Sequence, residues 1–298
     1  MKKALCLLLI LVFFPLFPGV AEQEITIVAS FYPVYIMAQN VLSGVENVNL
    51  VSMTAPSTGC LHDYQLLTSD MRALSRASAF LINGAGMEGF LPAVQSQLPS
   101  LPIVDCSAGI ELICEGSHDH EHGHDHDHEE NPHIWLDPRN AIRMVKNLEA
   151  GFLELLPEAA EQISANAENY IARLERLDRE LAEAISVLPR KEIVTFHEAF
   201  PYFARAYDLH IVAVIALEPD DPLSPRMLSE TVKTVRAAGN PPLFAEPQYK
   251  SAALAAISRE TQAPVFVLDP LVTGDGALTA YEDAMRKNLA VLVEALME

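Results

Sequence analysis

Six of the ten histidines in this 298-residue chain fall between His118 and His128. His118, His120, His122, His124, His126 and His128 alternate with Asp119, Glu121, Asp125 and Asp127, with Gly123 among them and Glu129 and Glu130 following. Imidazoles at this density bind divalent metals, zinc and copper above all. The interleaved carboxylates raise the local cation concentration. Residues 117–130 contain no apolar side chain, so the segment has nothing to bury and reads as a mobile, exposed loop. Ordering such a loop costs entropy, which favours several weak sites over one tight site. A solvated linker with incidental metal affinity is the other reading.

The four remaining histidines are His62, His133, His197 and His210. His62 lies in GCLHDY, just after an expected strand. His133 lies in NPHIWLDP, between the loop and a helix. His197 follows a strand in IVTFHEAF, and Asp269 ends another in FVLDP. The carboxyl ends of strands in open parallel sheets are where ligands bind. Three neutral imidazoles and one carboxylate form a four-ligand tetrahedral set that suits Zn(II), whereas Mn(II) or Mg(II) calls for more oxygen ligands. Any one of these histidines taken alone reads more readily as a packed or solvated side chain than as a ligand. Their shared placement, in a chain with a histidine-rich loop, makes His62, His133, His197 and Asp269 the candidate metal ligands. His210 opens a strand and is read as an ordinary residue.

The elements that must position these residues follow from hydrophobic pattern. Short apolar runs at 24–30, 48–53, 79–83 and 102–105, and again at 192–196, 210–216, 243–246 and 265–269, alternate with helical stretches. Near-continuous apolar strands separated by helices indicate parallel sheets covered on both faces, hence an α/β fold. Between the two sets, Ile163, Tyr170, Leu174, Leu177, Leu181, Ile185 and Leu188 form a stripe at helical spacing, with Pro157 at its start and Pro189 at its end. A helix of about 30 residues spans about 45 Å and is long enough to tie two lobes together. Packing on one lobe alone is the alternative.

Composition bounds the function. A formal charge of −20 opposes nucleic-acid binding, which needs a basic footprint. Half the residues are hydrophobic, so the chain folds. Residues 1–21 read as a secretory signal: Lys2 and Lys3, an apolar run too short for a membrane span, and Gly19-Val20-Ala21 as exit, with cleavage before Glu22. Export leaves Cys60, Cys106 and Cys114. Cys106 and Cys114 could close a small loop, leaving Cys60 free, or all three are small buried side chains.

The segments GCLHDYQLLTSDMRALSRASAFLINGAGMEGFL, NPHIWLDPRNA, TFHEAFPYFARAYDL and FAEPQYKS, with the Asp269 region, resemble the periplasmic zinc-binding (more broadly zinc/manganese) solute-binding proteins of ABC transporters. The resemblance runs from about residue 25 to the end. It implies two α/β lobes, each with a small parallel sheet flanked by helices, joined by one long rigid helix with metal in the cleft between them. The expected division is an N-terminal lobe over 22–155 (carrying the 117–130 loop), a linking helix over 156–189 and a C-terminal lobe over 190–298. His62, His133, His197 and Asp269 carry over as ligands. Histidine at the third position, where manganese-type members have Glu, points to zinc. The sequence departs from the family pattern at Leu61 and Thr68, where Pro is common, and at Cys60, which could itself be a ligand. The implied function is periplasmic capture of Zn(II) by a monomer that delivers it to the membrane permease of an ABC importer, with no catalysis. An exported zinc hydrolase using Glu198 as base is the chief rival, although Pro201 stands where H-E-x-x-H needs its second His. A metal-binding adhesin or zinc chaperone would share the same site.

Overall fold

The computed structural model describes residues 24–55, 61, 64–114, 130–215, 224–247 and 252–297. The expected signal, the loop histidines from His118 to His128, His62 and Cys60 lie outside the described residues. Strands β1 (Ile25–Ala29), β2 (Val48–Ser52), β3 (Ala79–Ile82) and β4 (Ile103–Asp105) form one parallel sheet in the order β2-β1-β3-β4. Strands β5 (Glu192–Thr195), β6 (His210–Val214), β7 (Leu243–Ala245) and β8 (Val265–Val267) form a second in the order β6-β5-β7-β8, also parallel. Each expected strand is present; β4 ends at Asp105 as expected, and the others end one or two residues early, because pairing stops before the apolar run does.

The apolar runs are continuous because both faces of each sheet are covered. Along β1 and β3, Ile27, Ala29 and Leu81 enter the main core, while Val28, Phe80 and Ile82 enter a separate outer cluster. Along β5 and β7, Ile193 and Phe244 face the main core, while Val194 and Leu243 enter an outer cluster of their own. The main core is thus common to both sheets.

Its spine is a 27-residue helix. The chain numbers α1 (Tyr32–Val41), α2 (Thr68–Leu74), α3 (Leu91–Gln97), α4 (Pro138–Leu155) and α5 (Ala160–Ser186) before the second sheet. Helices α6 (Pro201–Ala206), α7 (Pro225–Ala237), α8 (Ala252–Thr261) and α9 (Ala280–Leu296) follow. The stripe from Ile163 to Ile185 on α5 is fully or almost fully buried. It packs on α1 and α4 from the first half and on α9 from the second, so α5 joins the lobes and does not serve one alone. It begins at Ala160 and not at Pro157, which opens a separate 3-10 turn, Pro157–Ala159. Arg173 of α5 adds a bridge, pairing with Glu282 of α9 at 3.2 Å and with Asn40 of α1.

Direct bonds between the halves reinforce this packing. Trp135 Nε1 donates to the Pro270 carbonyl at 2.8 Å, and the Tyr281 hydroxyl donates to the Trp135 carbonyl at 2.7 Å. Gly274 passes so close to Tyr32 that a Cβ would sit 2.0 Å from its hydroxyl oxygen. Cys106 and Cys114 are both free thiols, the first wholly buried and the second exposed. The loop-closing disulfide does not form, and of these two Cys106 fits the buried reading and Cys114 does not; burial raises the Cys106 thiol pKa. Among the described residues no helix is long and apolar enough to cross a membrane.

Two buried polar groups yield stability predictions. The Tyr170 hydroxyl on α5 has no hydrogen-bond partner among the described residues, and burial pushes its pKa well up. Tyr170→Phe removes that cost, so the unfolding free energy from urea titration should stay level or rise by up to about 1 kcal/mol; a clear loss would mean that the hydroxyl is satisfied. Glu88 is almost wholly buried and accepts from the Asn83 and Gly84 backbone N–H groups at 2.8 and 3.1 Å. Burial raises its carboxyl to about 7. An acid raised in the folded state holds its proton longer there than in the unfolded chain. Its stabilisation is therefore complete below about pH 4.5, falls as pH rises, and is gone above about pH 7, a loss of about 3 kcal/mol. Metal-free wild type should lose that much more than Glu88→Gln between pH 4.5 and pH 7.5 in urea titrations; parallel profiles would refute the shift.

Candidate metal centre

His133 and His197 come from opposite halves and meet in the interior. His133 is 2% exposed and His197 is fully buried. Their Nε2 atoms lie 3.3 Å apart, and their ring centroids are 5.2 Å apart at 68°.

Local sequence explains how His133 arrives there. Asp137 caps α4 by accepting from Arg139 N at 2.8 Å, and Pro138 occupies the first helical position, where its missing N–H costs nothing. The 3-10 turn Ile134–Leu136 buries Trp135 just before that cap. The turn leaves His133 at its lip, with the indole of Trp135 5.2 Å away. From the first sheet, Asn83 at the end of β3 donates to the Pro132 carbonyl at 2.9 Å. Glu88 holds Asn83 in turn, through the tight left-handed turn of Gly84, Ala85 and Gly86.

His197 is placed by strand register. Strands β5 and β7 are neighbours, with Thr195 opposite Phe244. Two residues further along each strand stand His197 and Glu246. The Glu246 carboxylate accordingly meets His197 Nδ1. Glu246 is 3% exposed, and its second oxygen has no hydrogen-bond partner among the described residues. His133 Nδ1 has its own partner, the Asn131 side-chain oxygen at 3.1 Å.

Of the four residues singled out in the sequence, the described structure brings two together. His62 lies outside the described residues, next to the fully buried Leu61. Asp269 is half-buried two residues beyond β8. Its carboxylate accepts from Leu271 N at 2.8 Å, while its own backbone N–H and carbonyl bond the Asn288 side chain. Among the described residues, no three His, Cys, Asp or Glu side chains form a metal-holding group. His210 is exposed at the start of β6, as expected of an ordinary residue. Sequence reasoning passed over Glu246 and Asn131. Glu246 ends a strand, the signal that singled out His197, and Asn131 lies two residues before His133 in the same motif.

The family model for the zinc-uptake complex component A, periplasmic (ZnuA), matches residues 27–295. The zinc-binding protein AdcA of Streptococcus pyogenes serotype M6 is 30% identical over 291 residues, covering 91% of this chain and 56% of its own. The chain thus spans about half the length of the streptococcal relatives it matches. The high-affinity zinc uptake system protein ZnuA of Bacillus subtilis is 29% identical over 287 residues, covering 92% of this chain and 88% of its own. The Zn(II)-bound ZnuA-like domain of Streptococcus pneumoniae AdcA superposes with a TM-score of 0.77 at 27% identity, covering 92% of this chain and 100% of that one. With two parallel sheets on one helical spine and a histidine from each half meeting between them, the chain belongs to the ZnuA family of periplasmic zinc-uptake components.

Proposed function

We propose that this chain captures Zn(II) in an exported compartment and delivers it to the membrane permease of an ABC-type importer. The observation that carries the reading is the 3.3 Å separation of the two Nε2 atoms. Two Zn–N bonds of about 2.0–2.1 Å at the tetrahedral angle hold their nitrogens about 3.3–3.4 Å apart. The pair is therefore already spaced as one edge of a zinc tetrahedron. His62 from the first lobe and Asp269 from the second complete the proposed ligand set. An imidazole-rich set with one carboxylate favours zinc over manganese.

In this reading the ion enters between an N-terminal lobe over 22–155 and a C-terminal lobe over 190–298, tied by the helix between them. Binding displaces protons and water from the imidazoles. The common core and the α5 spine permit only small motion, so the protein grips by matching the ion and not by closing around it. The histidines from His118 to His128 gather zinc at weaker sites. The reading also includes export by a signal cleaved before Glu22 and action as a monomer that binds without catalysis. The names of the matched relatives, which refer to zinc binding and uptake, support it.

Calorimetry and chelator competition on the mature chain should find one tight zinc site and several weaker ones. His62→Ala, His133→Ala and His197→Ala should each weaken the tight site by more than about 100-fold, beyond the loss typical of an outer partner. Deleting 117–130 should remove only the weak sites. Unchanged tight affinity in all three variants, or manganese retained in preference to zinc, would overturn the reading.

A further inference from the structure

Behind each histidine of the pair stands one acceptor, and the two acceptors decide which ring nitrogens face each other. The Asn131 amide has only one orientation that satisfies its neighbours. Its Nδ2 donates to the Glu198 carbonyl at 2.7 Å, and its Oδ1 accepts from the His133 backbone N–H at 3.0 Å. A flipped amide would set oxygen against oxygen and N–H against N–H. Oδ1 is therefore the atom 3.1 Å from His133 Nδ1, and the ring proton belongs on Nδ1. Across the site, the Glu246 carboxylate likewise offers His197 Nδ1 an acceptor. With both protons drawn to Nδ1, the lone pairs of both Nε2 atoms remain, and these are the atoms that meet at 3.3 Å.

Asn131 does more than turn the chain. A plain Asx turn needs only the His133 N–H bond. The same side chain also reaches the carbonyl of Glu198, the residue after His197. Its backbone N–H donates to the Ile113 carbonyl at 2.8 Å, and its carbonyl accepts from the Tyr202 hydroxyl of α6 at 2.7 Å. Tyr202 in turn accepts from Ile113 N at 3.0 Å. One residue thus contacts one histidine directly and the chain segment of the other.

We propose that Asn131 is a positioning residue of the zinc site, fixing His133 in its Nδ1–H tautomer and locking its segment to that of His197, with Glu246 fixing His197 in the same tautomer. The proposal rests on the zinc-site reading above. A metal-bound imidazole commonly donates its other N–H to a carboxylate or carbonyl oxygen, and loss of that partner typically costs 10–100-fold in affinity. Here both rings have such a partner in place.

The test combines 15N spectroscopy of histidine-labelled, zinc-free protein at alkaline pH with zinc competition. In wild type, His133 and His197 should both carry the proton on Nδ1. Asn131→Ala should leave His133 a mixture of tautomers, leave His197 unchanged, and weaken zinc binding about 10–100-fold. Asn131→Asp retains an acceptor oxygen and should restore the His133 tautomer. A wild-type spectrum with the His133 proton on Nε2 would refute the proposal, and it needs no variant to fold. So would Asn131→Ala with wild-type tautomer and wild-type affinity. If His133→Ala itself leaves the tight affinity unchanged, the zinc-site reading fails. If His133→Ala loses zinc while Asn131→Ala does not, only the positioning role fails.

Discussion

Two imidazole nitrogens held 3.3 Å apart in the buried interior are the constraint around which this protein is organised. If both present lone pairs, they repel, and a low dielectric strengthens that repulsion. The arrangement persists only if each ring is held from behind and the elements carrying the rings cannot drift apart. Glu246 and Asn131 hold the rings, and the common core holds the elements. His133 reaches the site through a turn anchored by Trp135, whose indole and carbonyl both bond the second half of the chain. His197 reaches it through β5, one of the two inner strands of the second sheet. A shift of one residue in the pairing of β5 and β7 would separate His197 from Glu246.

The common core also limits how the protein can move. A hinge needs an interface that opens at low cost, yet here the stripe along α5 buries apolar side chains against helices of both halves without interruption. Opening the halves would expose much of that surface at about 25 cal/mol per Å². The Arg173 bridge to Glu282 and the close approach of Gly274 to Tyr32 add further restraints between the halves. Affinity in such a frame comes from preorganisation, because the ordering cost is met on folding and not on binding.

Much of the fold was legible because its signals are local. Most strands are short apolar runs covered on both faces, although Val265 and Val267 of β8 are exposed, and α5 is a stripe with a fixed period; neither signal depends on what lies across the molecule. The less legible features depend on contacts between segments. The partnership of His197 with Glu246 follows from register between neighbouring strands 49 residues apart in the chain, which spacing in a single sequence does not encode. Asn131 shares a motif with His133, but its bond to the Glu198 carbonyl appears only once the halves are packed. The cysteines show the same limit: a separation of eight residues permits a loop, but Cys106 turns into the core while Cys114 stays at the surface. Of the proposed ligand set, His133 and His197 were readable because strand ends and motif boundaries mark them. The meeting of their Nε2 atoms was not, since it depends on the packing of both halves.

The charge distribution gives this site a physical cost with a purpose. A buried carboxylate with one oxygen lacking a hydrogen-bond partner among the described residues destabilises a fold unless positive charge stands close by. Glu246 is such a group, and its one described partner is the ring of His197. Replacing it with an apolar residue would favour folding but leave Nδ1 without an acceptor and the site without a compensating negative charge. A divalent cation on the far nitrogen of that ring would offset the carboxylate through the imidazole, so the feature that weakens the metal-free fold strengthens the grip on the ion. The chain's net charge of −20 acts on a longer scale, since exposed acids are screened beyond roughly 8–10 Å. Surface acidity can raise the local concentration of cations in general; in the proposed site, discrimination between cations falls to the buried pair, its two acceptors and the ligands that complete the set.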